Sequence, residues 1–371
     1  MADSTTRTIA LAGDVMLGRG IDQIMPQPSD PALYEPWVDD ARTYVDLAER
    51  ANGRVPRGVD PAYVWGEALP SLVDDRLWGR LINLETAITT SRDPAPKSIN
   101  YKMHPANIDC LTAARIDACS LANNHVLDWG QAGLIETLAT LDAAGLRHAG
   151  AGRDIEAALA PVAIEGGGGT RLLCFATGLP SSGIPADWAA GPATPGVAFL
   201  PDLSPATAEA VAATIARHAH PADRVVVSIH WGGNWGHAVP DEQRRFAHAL
   251  IDSGRVDLVH GHSAHHAKAF EVYRERLVLY GCGDFVNDYE GIDGTPDGLR
   301  DDLAVLWLAE LELETGRLAG LELEVFRLRR LRLERAAAAD RDWLRATSNR
   351  EGCRFASHLA ETPAGRLRFE R

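Results

Sequence analysis

Short apolar runs recur along the chain, each ending in a polar or titratable side chain, and segments of helical periodicity lie between them. Runs of four to eight apolar residues bounded by turn residues mark buried strands, whereas apolar repeats at i, i+3 and i+4 mark helices. On that basis strands are predicted at 8–14, 81–84, 116–121, 147–149, 162–164, 171–176, 224–229, 256–259, 269–273 and 277–280. Helices are predicted at 106–114, 131–144, around Ile155, and at 205–218 and 241–252. From Leu303 to Leu333 the pattern alternates at period two, which predicts antiparallel strands completing a second sheet, and 340–360 reads as helical. The run Gly166-Gly167-Gly168-Gly169 lacks the Lys-Ser/Thr of a phosphate-binding loop and reads as a hairpin turn.

Strands alternating with helices predict an α/β fold, in which ligands collect beyond the carboxyl ends of the strands. Those ends deliver Asp14, Glu85, the pair Asn124-His125 followed by Asp128, then His230, and the His-rich stretch from His260 to His266. A helix-cap reading of Asp14 is the less favoured one, and Asn124-His125 could be a plain strand–helix turn, but the recurrence at several strand ends favours chemistry. Lys102 and His104 fall on a Pro-containing loop that reads as solvated. No repeat or linker divides the chain, so residues 1–371 are taken as a single domain. Residues 21–70 form an insertion rich in Pro, Trp and Tyr. Residues 178–201, with five Pro and four Gly, are a candidate lid carrying Trp188.

Composition narrows the partners. A net charge of −14 and a pI near 5.4 argue against nucleic acid. Five scattered cysteines suit reduced thiols better than a disulfide frame. A polar N-terminus without a signal pattern, and no run of 18 apolar residues, lead to the expectation of a cytoplasmic protein without a membrane partner.

The order Asp, acidic residue, Asn-His, His, Gly-His-x-x-His resembles the calcineurin-like metallophosphoesterases. More closely, Gly13-Asp14-Val15-Met16-Leu17-Gly18-Arg19, Asn83-Leu84-Glu85-Thr86, Leu121 to His125 with Asp128-Trp129-Gly130, His230-Trp231-Gly232, and Gly261-His262 with Tyr280 to Phe285 resemble the CapA/PgsA family, named for poly-γ-glutamate capsule synthesis. The resemblance implies an α-β-β-α sandwich of two mixed sheets flanked by helices, with metal held between the sheets. It implies Asp14, Glu85, Asn124, His230 and His262 as ligands of one or two divalent ions, among Mn, Mg, Ca, Fe and Zn. The sequence departs from the phosphoesterase pattern in three places: Met16 stands where a His is usual, Glu85 where the bridging residue is an Asp, and the last His pair is spaced by two residues.

A soluble branch of this resemblance includes metal-dependent epimerases of lasso-peptide biosynthesis, and the surplus of histidines agrees with a base on each face of a Cα carbon. The first expectation is therefore a peptide epimerase. His125 with Asp128, and His265 with Asp284 or Asp14, would be its acid/base pairs, and Trp129, Trp188, Trp231 and Trp235 would wall a peptide substrate. The alternatives are a metallohydrolase of a phosphoester or amide (γ-glutamyl) bond, and a non-catalytic component of poly-γ-glutamate synthesis.

Overall fold

The computed structural model describes residues 5–166 and 169–370. Two mixed sheets pack face to face with helices on both outer sides. The first runs His358–Glu361, Leu367–Glu370, Leu318–Arg329, Leu303–Glu312, Thr6–Val15, Leu77–Leu84, Ala118–Ser120, Arg147–Ala149. Asp284–Val286 also pairs with Thr6–Val15, and Arg332–Arg335 with Leu318–Arg329. The second runs Phe270–Tyr273, Arg276–Leu279, Leu258–His262, Arg224–His230, Arg171–Gly178, Val162–Glu165. This is the α-β-β-α sandwich of two mixed sheets expected from the motifs.

Side-chain alternation builds the layers, because successive strand residues face opposite sides. Ile9, Leu11, Leu81, Val305 and Trp307 of the first sheet meet Leu172, Cys174, Val226, Leu258 and Leu277 of the second in one central core. Their neighbours Ala10, Ala12, Ile82 and Leu84 face outward onto helices Arg42–Asn52 and Gly130–Ala143. On the other side Phe175, Val227, Ile229 and Val259 face helices Pro205–His218 and Asp241–Asp252.

Several expectations need correction. The strands from Leu303 onward extend the first sheet: Leu303–Glu312 pairs antiparallel with the free edge of Thr6–Val15, with Ile9 opposite Ala309. The last segment is helical only over Ala338–Gly352. A left-handed Ala356 turns the chain into the hairpin His358–Glu361/Leu367–Glu370. Segment 178–201, the candidate lid, is packed against the rest of the protein in this structure. Its amides bond into the body (Gly178 N to Ala198 O, Leu179 N to His230 O, Ala198 N to Gly150 O), and Leu179, Ile184 and Val197 are buried. The hairpin Val162–Glu165/Arg171–Gly178 forms as expected, although Gly167 and Gly168 of its turn, like Met1 to Ser4, lie outside the described residues. Among the described residues no helix is long and apolar enough to cross a membrane.

Candidate metal centre

Strand register converges the polar residues. Asp14 pairs with Asn83 on one side and Asp284 on the other, while His230 and His262 are register partners in the second sheet. Asp14, Glu85 and Asn124 therefore come from one sheet and His230 and His262 from the other, so the expected ligands meet between two sheets and do not share one sheet edge. Close backbone approach makes this possible. A Cβ on Gly13 would fall 1.8 Å from the carbonyl oxygen of Gly283, and that oxygen accepts from Asp14 N at 3.1 Å. Ser263 holds φ at 102°, rare for a residue with a side chain, and donates its amide to Asp14 Oδ2 at 3.2 Å.

Two groups of donors overlap at Asp14: Asp14 with His230 and His262, and Asp14 with His265 and Asp284. In the first, His230 Nδ1 and His262 Nδ1 face each other at 2.8 Å, and His262 Nδ1 lies 3.8 Å from Asp14 Oδ1. Burial pushes both imidazoles well below the usual histidine range, so both are neutral and offer lone pairs. In the second, His265 Nδ1 meets Asp284 Oδ1 at 3.0 Å, and Asn287 Nδ2 donates to Asp284 Oδ2 at 2.8 Å. Against the desolvation that opposes it, Asp284 raises the pKa of His265.

The carboxylates crowd one another. Burial, with Asp284 adding repulsion, raises Asp14 to about 7, and burial together with Asp14 raises Glu85 far above the carboxylate range. A buried cluster of acids beside converging neutral imidazoles is the donor chemistry that fits a divalent cation. Asp14 is the residue shared by the two groups. Glu85, expected to bridge, lies 3.7 Å from His230 Nε2 and 3.9 Å from His125 Nε2. Asn124 Oδ1 stands 3.0 Å from His230 Nε2. Met16 is in neither donor group, and its Sδ accepts from Gly18 N at 3.2 Å.

Among the described residues, His125 belongs to neither donor group. Its Nδ1 meets Asp128 Oδ2 at 2.7 Å, and burial pulls its pKa down to about 4. Lys97 donates to Asp128 Oδ1 at 2.7 Å and to the carbonyl of Asn124, and Tyr101 stacks on the His125 ring at 4.0 Å.

The expected aromatic walls divide. Trp188 is half-buried, 5.4 Å from Lys97 Nζ, and Trp235 is 37% exposed with its ring edge-on to His265 at 5.3 Å. Trp231 cannot wall a substrate: it is buried in the outer core, stacked with Tyr280 and donating to the Tyr280 carbonyl. Trp129 is likewise buried, its indole donating to Tyr101 O. Lys102 lies over the Trp129 ring, and His104 caps a short helical turn.

The family model described as "Bacterial capsule synthesis protein PGA_cap" matches residues 8–289. The chain belongs to this family. It is 45% identical over 358 residues, 96% of this chain and 94% of the other, to a "probable polyglutamine synthesis accessory protein" of Mycobacterium tuberculosis. It is 26% identical over 282 residues to the "PGA biosynthesis protein CapA" of Bacillus subtilis, covering 75% of this chain and 63% of that one. A solved structure described as a novel phosphatase from Mycoplasma pneumoniae superposes with a TM-score of 0.45 at 10% identity, over 91% of this chain and 96% of that one. These relatives overturn the epimerase expectation. The similarity that spans nearly the whole chain is to a protein named for polymer synthesis, so this PGA_cap chain is not read as an enzyme of lasso-peptide biosynthesis.

Several residues that complete the site were assigned no role from sequence, although Asn83 and Asn123 lie within the motifs quoted above. Asn83 donates to Asp14 Oδ1 at 2.7 Å and Glu85 Oε2 at 3.1 Å. Asn123 holds Asn83 Oδ1 at 3.1 Å. Ser228 Oγ joins His262 Nε2 and His260 Nδ1 at 2.8 and 3.1 Å. Their signal was position: Asn83 and Ser228 each lie two residues before a strand-end residue, on the same strand face.

Proposed function

We propose that this protein is an accessory component in the synthesis of a glutamate- or glutamine-based polymer, and that its centre holds divalent metal. The observation that carries the first part is the near full-length similarity to the mycobacterial polyglutamine accessory protein. The second rests on the two donor groups sharing Asp14. Each group contains imidazole together with carboxylate, which favours Mn, Fe or Zn over Mg or Ca. The test is the polymer content of cells lacking the protein. A fall restored by the wild-type gene is expected, and unchanged polymer would contradict the role.

A second reading is favoured by one observation: a carboxylate-oriented imidazole, His125 with Asp128, stands beside the donor groups without joining them. That arrangement suits hydrolysis of an amide (γ-glutamyl) or phosphoester bond within the polymer pathway. A bound divalent ion would polarise the carbonyl or phosphoryl oxygen. Asp128 would hold the His125 Nδ1 proton and leave Nε2 to exchange a proton with the reacting group. Incubating metal-loaded protein with γ-glutamyl oligomers and with phosphomonoesters distinguishes the readings. Release of amine or phosphate supports hydrolysis, and no release from either leaves the accessory role alone.

A further inference from the structure

Arg19 is buried, 4% exposed, and holds a φ of 43° that a side-chain-bearing residue seldom adopts. Its guanidinium forks onto Asp288 (Nε to Oδ2 3.1 Å, Nη2 to Oδ1 2.5 Å), and Nη1 donates to Glu35 Oε1 at 2.9 Å. The adjacent Gly20 amide donates to the same Asp288 at 2.9 Å, fixing the strained turn. The cation lies over three rings: Tyr44 at 3.9 Å, Tyr101 at 4.8 Å and Tyr289 at 5.8 Å. Two of these rings reach the candidate centre from different flanks. Tyr101 stacks on His125, and Tyr289 stands edge-on to His265 at 5.3 Å and 88°. Their hydroxyls meet at 2.8 Å.

We propose that Arg19 is a positioning residue which, through the Tyr101–Tyr289 pair, sets the two imidazoles flanking the centre, His125 and His265. The reasoning is geometric. The two imidazoles stand on different sheets, His125 following strand Ala118–Ser120 of the first and His265 following strand Leu258–His262 of the second. The hydroxyl–hydroxyl contact joins the two ring supports, and one cation attracts both ring faces. A lysine could keep the charge but not the planar fork that fixes its direction. This also gives the 21–70 insertion a task, because it supplies Glu35 and Tyr44, themselves hydrogen-bonded to each other, as the outer wall of the Arg19 pocket.

The inference rests on the metal-centre reading and not on the polymer, so its test uses metal binding. Wild-type protein, Arg19→Lys, Tyr289→Leu and Tyr101→Leu are titrated with Mn(II), with circular dichroism confirming the fold of each. Tyr289→Leu is expected to weaken one class of site, the one containing His265, by about tenfold or more, while the His230–His262 class stays unchanged. Arg19→Lys should reproduce that split. Tyr101→Leu, which removes the hydroxyl contact to Tyr289, should weaken the same His265 class and spare the His230–His262 class, and an unchanged His265 class would show that the pair does not couple the two imidazoles. A merely structural Arg19 would lower both classes together or neither, and either result overturns the proposal. If wild-type protein binds no Mn(II), the metal reading itself fails, and ring resonances of 15N-labelled histidines then decide the positioning role. Arg19→Lys should shift His125 and His265 but leave His260, which bonds Ala12 O. Unmoved His125 and His265 signals overturn it.

Discussion

Replacing Asp14 by asparagine should invert the order of stability between metal-free and metal-loaded protein. Asp14 is 2% exposed, and burial with the neighbouring Asp284 raises its pKa from 3.8 to about 7. The folded state therefore binds its proton more tightly than the unfolded chain does. The sign follows: this group favours folding below about pH 4, and that advantage is lost as pH rises to about 7. The gap corresponds to roughly 4 kcal/mol of destabilisation above pH 7 when no metal is bound. The substituted amide would carry no charge, its oxygen could still accept from Asn83, and its nitrogen could donate to Glu85. Losing the second acceptor, which serves Ser263 N, costs about 1 kcal/mol. In chelator at about pH 8, Asp14→Asn should thus be more stable than wild type by ~2–3 kcal/mol, and near pH 4 the gain should vanish. Metal reverses the order. At a thousandfold excess over Kd it adds about 4 kcal/mol to wild type, and far less to a variant lacking the shared donor. Urea denaturation in chelator and in saturating Mn(II), at both pH values, measures all of this. A variant less stable than wild type in chelator at pH 8, or one stabilised by metal as much as wild type, would refute the reasoning.

Other outcomes follow from the same geometry. His125→Ala should leave metal content by elemental analysis unchanged, and should lower any hydrolytic turnover by a factor on the order of 10²–10⁴; loss of metal would instead make His125 a ligand. Gly13→Ala must push its Cβ into the Gly283 carbonyl, so a melting temperature close to wild type would contradict the packing described, since such overpacking costs about 1–3 kcal/mol or more. Lys268 is largely buried with its ammonium on Ala238 O, and desolvation lowers its pKa to about 8. The folded protein should therefore gain stability as pH rises from about 8 towards 10.5, and Lys268→Met should flatten that rise in urea melts.

Much of the scaffold was legible because its strands are short, apolar and punctuated by their own functional residues. Helix Asp241–Asp252 and strand Arg224–His230 stand within a residue of where periodicity puts them. What local pattern could not supply was edge choice. Nothing in Leu303–Glu312 says that it pairs with a strand three hundred residues earlier, and so the first sheet gained strands expected in the second. Density of glycine and proline at 178–201 did not reveal that the segment's amides find partners in the body, because those residues bend the chain without removing its bonding. At the site, Asp14, His230 and His262 were visible as strand-end residues, and His125–Asp128 as a pair three residues apart. The burial of Trp231 was not, since its exposure depends on Gly261, which leaves no side chain to keep the indole away. Lys97 was missed for a similar reason. It sits on an irregular loop that is held beside Asp128 by the bond from Ala95 N to the Asp128 carbonyl at 2.7 Å.

Anomalous scattering from Mn(II)-soaked crystals tests the metal centre most directly. The expected map has two peaks that share Asp14, one beside His230 and His262 and the other beside His265 and Asp284. A map with no peak at Asp14, or with manganese only at sites remote from these strand ends, would contradict the assignment of the centre.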